Sequence, residues 1–175
     1  QYGLETLSGG GGLWINDYVR YLGIAKAQET SKLLGILNLK YITSTKEVEK
    51  GGFKLAKKFK ECIPCKSNDW AVWLDGPYLY ENEKFLSRYY FVDNAILVVG
   101  ESNDAQSMIY MLMVNKNFDP KSAVLVNGEH ADINDYDLSF LKKLKAVIIL
   151  GGKMDQNSIS KLQEYKNSGG RIFPD

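Results

Sequence analysis

Three short stretches set most of what this 175-residue chain can fold into: Ala95 to Val99 (AILVV), Ala123 to Val126 (AVLV) and Ala146 to Leu150 (AVIIL). Each is continuously apolar, the pattern of a strand buried on both faces. Helical patterns fill the gaps over Asp104 to Asn115 and Tyr136 to Leu144. A third, Ser158 to Asn167, leads through Gly169-Gly170 to a fourth short strand at Arg171 to Phe173. The order βαβαβαβ predicts a parallel sheet with right-handed crossovers. Met108 to Val114 is apolar all round, so that helix is expected to lie buried between layers.

Ahead of residue 95 the rhythm differs. Val19, Leu22 and Ile24 recur at helical spacing behind Asn16 and Asp17, either able to cap, and Ser31 to Leu37 reads as a second short helix. Lys40 to Thr45 is β-branched and strand-like. Phe53 to Phe59, Trp70 to Leu74, Pro77 to Glu81 and Arg88 to Asn94 are short runs between turn residues, which predicts antiparallel strands. The aromatics from Trp70 to Phe91 are expected to fill a core. Gly9 to Gly12 lack the preceding strand and spacing of a dinucleotide fingerprint and read as a loop or linker. The expected class is α/β, with two parts. Residues 1–94 form a small α+β lobe with antiparallel strands, and residues 95–175 a flavodoxin-like or amidotransferase-like three-layer region, cut short at its C-terminus. A start at Gln1 and a stop just after a strand read as a piece of a longer protein.

Charge narrows the partners. With 22 Lys and Arg against 21 Asp and Glu, the formal +1 draws the chain as a whole neither to nucleic acid nor to an anionic membrane. The longest unbroken apolar run, Met108 to Val114, falls far short of the ~20 residues that span a bilayer.

Candidate chemistry gathers in two places. Cys62-Ile63-Pro64-Cys65 has dithiol spacing, but the residues after it enter a strand where a redox motif needs a helix N-terminus. A structural disulfide or quiet reduced pair, a redox role and metal binding stay open for it. The other place is the carboxyl edge of the sheet, where open α/β folds hold ligands. The three apolar strands run out there into Gly100-Glu101, Gly128-Glu129-His130 and Gly151-Gly152-Lys153. Glu101, Asp104, Glu129, His130, Asp132 and Asp155 are the candidate binding residues. Their net negative charge disfavours a phosphate and leaves a neutral sugar, a divalent ion or nothing. The plain alternative is helix capping by Asp104, by Asn134 or Asp135, and by Asp155 or Asn157. His130 is the only histidine, and neither cysteine lies in the second half. No activated nucleophile with an evident base is legible, no cofactor is expected, and a two-carboxylate glycosidase is the enzyme least excluded.

Two segments carry a resemblance. LLGILNLKYIT (Leu33 to Thr43) and YLYENEKFLSRYYFV (Tyr78 to Val92) resemble the extracytoplasmic part of the polytopic membrane proteins called YfhO, relatives of the GT-C-type lipid-linked-sugar glycosyltransferases. The match covers about the first half and departs at Ser87, where a proline usually precedes the arginine. KLQEYKNSGGRIF (Lys161 to Phe173) resembles the glutamine-amidotransferase-like fold without its catalytic elbow. The resemblance implies a non-catalytic, membrane-tethered extracytoplasmic domain joined to a membrane-embedded remainder. It would bind or position a glycan, a lipid-linked sugar or a protein partner. The alternative is a metal-dependent or dithiol enzyme using the acidic loops or Cys62 and Cys65.

Overall fold

The computed structural model describes residues 16–28, 30–49, 51–60, 77–128, 130–151 and 154–174. The chain is α/β and divides into two units, Gln1–Tyr90 and Phe91–Asp175. Cys62, Cys65 and the expected strand Trp70 to Leu74 lie outside the described residues, as does Glu129.

The first unit contains α1 (Asn16–Ala27), α2 (Thr30–Ile36), β1 (Tyr41–Ser44), β2 (Phe53–Lys58) and β3 (Tyr78–Asn82). The strands form an antiparallel sheet in the order β1-β3-β2. Alternation along β3 buries Tyr78, Tyr80 and Asn82, while Leu79 and Glu81 point to the other face. Asn82 is the polar centre of this unit. Its amide donates to the carbonyls of Ser31 (2.8 Å) and Leu39 (3.0 Å), and its Oδ1 accepts the Lys84 N–H (3.0 Å). One buried side chain thereby joins the first turn of α2, the entry to β1 and the turn after β3. α2 itself stops at Asn38, whose φ of 63° is the left-handed C′ position. The Asn38 N–H reaches the Gly35 carbonyl and the Leu39 N–H reaches that of Leu34, a Schellman closure. α2–β1 and β3 thus meet, with β1 paired from Tyr41 with Glu81 to Ser44 with Tyr78.

Not every aromatic is core. Tyr78 and Tyr80 are buried, but Tyr89 and Phe91 stand 87% and 101% exposed, and Arg88 to Asp93 form no strand. Asn94 instead opens the second unit's sheet.

That unit runs β4 (Asn94–Val99), α3 (Ser102–Val114), β5 (Ala123–Asn127), a 3-10 turn (Ile133–Asp135), α4 (Leu138–Leu141), β6 (Ala146–Ile149), α5 (Gln156–Asn167) and β7 (Arg171–Phe173). All strand pairs are parallel, in the order β5-β4-β6-β7. The expected helix Tyr136 to Leu144 is thus a single short helix, preceded by the 3-10 turn. Leu97 and Val99 of β4 and Val147 and Ile149 of β6 share a core with Ile133, Tyr136, Leu141, Leu162 and Tyr165. Alternate residues face the other way, where α3 packs against β4 and β5. α3 is not buried as expected: Ala105 is enclosed, but Met111 is 63% exposed. At the end of α5 the glycines have separate jobs. Gly169 takes the left-handed C′ position at φ 97°, and a Cβ on Gly170 would overlap the Tyr165 ring.

Candidate functional site

Counted within the sheet, the strand order is second, first, third, fourth, so the chain leaves β4 toward opposite sides through β5 and β6. The reversal opens a crevice at the carboxyl ends of the strands, the place where doubly wound folds hold ligands. A cleft of about 220 Å³ lies there, bounded by Glu101 after β4, Ala131 to Ile133 after β5, and Ile149 to Gly151, Met154 and Ser158 at the β6–α5 connection. Drug-sized ligands occupy roughly 300–1,000 Å³, so this cleft takes one small ring or chain end. Ile133, Ile149, Leu150 and Met154 offer apolar surface; Glu101 and Asp132 bring carboxylates.

The strands end tightly enough to shape it. A Cβ on Gly100 would press on Leu150, and one on Gly128 would meet the Tyr136 hydroxyl and the Val98 carbonyl. Tyr136 then staples the β5 exit loop: its hydroxyl accepts the His130 N–H (2.8 Å) and donates to the His130 carbonyl (3.0 Å). His130 is exposed, and its ring packs edge-on against Tyr136 at 5.4 Å.

Capping absorbs two of the expected acids, Asp132 and Asp155. Asp155 is the N-cap of α5; its Oδ1 accepts the Ser158 N–H (2.7 Å) and the Ser158 hydroxyl (2.8 Å). Asn134 Nδ2 adds contacts of 3.2 Å to both carboxylate oxygens, and Asn157 donates to Asn134 Oδ1 (2.9 Å). The Ser158 backbone N–H, its hydroxyl and the Asn134 amide hold the Asp155 carboxyl below its ordinary pKa. Asp132, not Asn134 or Asp135, caps the 3-10 turn by accepting the Asn134 N–H (2.8 Å). Asp104 does not cap α3 but stands in its first turn; the cap position is Glu101, which makes no side-chain capping bond. Lys161 reaches from α5 to the carbonyls of Asn134 (2.7 Å) and Tyr136 (2.8 Å), tying helix to turn.

Of the expected binding residues the structure brings Glu101 and Asp132 to the cleft, places Asp155 beside them as a cap, and leaves Asp104 and His130 outside its lining. Asn134, Tyr136, Ser158 and Lys161 went unread as parts of the site. The spacings Asp132-x-Asn134 and Asp155-x-x-Ser158 are the turn and cap signatures that announce two of them. No group of three or more metal-ligating side chains occurs among the described residues.

Chemically the cleft offers carboxylate acceptors beside an apolar floor, which suit the hydroxyl or ammonium donors of a small neutral or cationic group. Two carboxylates in the lining repel a phosphate. Ser158 and Asp155 resemble a nucleophile and base only in distance. Ser158 is 1% exposed, and a carboxylate whose pKa is depressed makes a poor general base. In comparisons with known proteins, no family model, no curated protein and no solved structure matches this chain.

Proposed function

We propose that this chain is a non-catalytic, extracytoplasmic binding module of a membrane protein of glycosyltransferase-like type. In this reading it holds a glycan, or the sugar end of a lipid-linked one, in the cleft at the carboxyl edge of the parallel sheet. One observation carries it: the groups closest to a catalytic set, Asp132, Asp155 and Ser158, are spent on capping. What remains is a small concave surface lined by Glu101, whose carboxylate makes no capping bond. The membrane assignment rests on the YfhO resemblance of Leu33 to Thr43 and Tyr78 to Val92, which pair around Asn82. No helix among the described residues is long and apolar enough to cross a membrane, so tethering in this reading falls to chain outside them.

Calorimetric titration with neutral monosaccharides and aryl glycosides tests the reading. Binding without turnover is expected, weakened at least tenfold by Glu101→Gln. Hydrolysis or transfer by this chain, lost in Asp132→Asn, would replace the module with an enzyme.

A further inference from the structure

The formal charge of +1 conceals a division: residues 1–90 carry 13 Lys and Arg against 10 Asp and Glu, residues 91–175 carry 9 against 11. Within the first unit the excess concentrates on one edge strand. Phe53 to Lys60 contains Lys54, Lys57, Lys58 and Lys60 and no acid, and all four lysines are exposed.

A β-bulge aims two of them, Lys54 and Lys57, at one face, while Lys58 pairs opposite Tyr78 on the other. Lys54 and Lys57 are three residues apart and in a regular strand would face opposite sides. The register shift between Leu55 and Lys57 sets Lys54 opposite Glu81 and Lys57 opposite Leu79, on the face of β3 turned away from Tyr78, Tyr80 and Asn82. Tyr41 of β1 joins that face opposite Glu81, 47% exposed. Lys57 Nζ lies 4.9 Å from the Phe59 ring centre, an exposed ammonium held over an aromatic face. Lysines on an edge strand also discourage edge pairing. Protection alone does not account for the bias, because β1, the opposite edge of the same sheet, has no lysine in Tyr41–Ser44.

We infer that the β2 edge is a docking strip for an anionic lipid surface, a function beyond the glycan-binding reading and independent of the cleft. Ammonium groups on long apolar stems beside an exposed tyrosine suit the headgroup region, where each lysine contributes through the negative surface potential. Glu81 is the one acid placed on this face by the pairing of the three strands.

Flotation of the chain with phosphatidylcholine vesicles and with vesicles holding 30% phosphatidylglycerol provides the test. Binding to the anionic vesicles alone is expected, falling steeply as salt rises from 50 to 500 mM. Lys54→Gln/Lys57→Gln should lower the partition coefficient roughly 25-fold, at about fivefold per lysine. Lys116→Gln/Lys121→Gln makes the same change of net charge in the second unit and should leave binding within about twofold. Circular dichroism confirms folding of both variants. Equal losses in the two variants, no binding by the unaltered chain, or tighter binding to heparin or duplex DNA than to the vesicles would each overturn the inference.

Discussion

Replacing Tyr136 with phenylalanine deletes one oxygen and keeps a ring that is 8% exposed and stacked on Phe140 at 6.1 Å. The lost hydroxyl joins the two backbone groups of His130, at 2.8 and 3.0 Å. Each such bond contributes about 0.5–1.5 kcal/mol net, and His130 is exposed enough for water to replace part of both. The expected loss is therefore about 1–2 kcal/mol. In a unit of this size that lowers Tm by roughly 5–15 °C. Thermal unfolding followed by circular dichroism measures the loss, and amide hydrogen exchange locates it, with faster exchange at His130. The β5 exit loop includes Ala131 to Ile133, one wall of the cleft, so glycan affinity should fall with it. Tyr165→Phe is the comparison, since its hydroxyl donates to the Leu144 carbonyl (3.2 Å) and also meets the Arg171 backbone N–H, away from the cleft wall. A loss under about 0.5 kcal/mol in Tyr136→Phe, with His130 exchange unchanged, would refute the staple.

Asn82→Ala strips three hydrogen bonds from a site 2% exposed and should cost about 3 kcal/mol or more in urea unfolding; a loss under about 1 kcal/mol would remove Asn82 from the centre of the first unit. Asp155 governs an acid limb. Its folded pKa lies below the usual carboxylate range, so its contribution is complete above the unfolded-state pKa and disappears as pH falls through the folded pKa. Asp155→Asn should flatten stability against pH in that acid range and leave its slope near neutrality unchanged, as read from unfolding midpoints between pH 2 and pH 7.

The parallel sheet was legible because burial on both faces leaves strands with nothing but apolar residues, as in AILVV and AVIIL. Gly169 and Gly170 were legible as a helix stop for an equally local reason. Met108 to Val114 misled because an apolar helix reports how much it can bury, whereas the number of helices sharing its face decides how much it does bury. Tyr78 and Phe91 are both aromatics near turns, and only the alternation set by β1 and β2 pairing separates the buried ring from the exposed one. The candidate site was legible as an edge and as an acidic set, since both follow from strand order and composition. Its division of labour was only partly so. The Asp155-x-x-Ser158 cap is local and was legible, whereas the Asn134 amide reaches Asp155 between loops 21 residues apart in sequence. The bulge that moves Lys57 beside Lys54 has no local signature in FKLAKKFK either.

The central claim is that the carboxyl-edge cleft binds a small neutral sugar and does no chemistry on it. Heteronuclear NMR on the isotopically labelled chain, titrated with a panel of neutral monosaccharides and their methyl glycosides, tests it most directly. The account predicts saturable shifts of the amides of Glu101, Ala131, Asp132, Gly151 and Ser158, with the sugar unchanged after prolonged incubation. Shifts confined to other surfaces, no shifts with any sugar of the panel, or conversion of the sugar during the titration would contradict it.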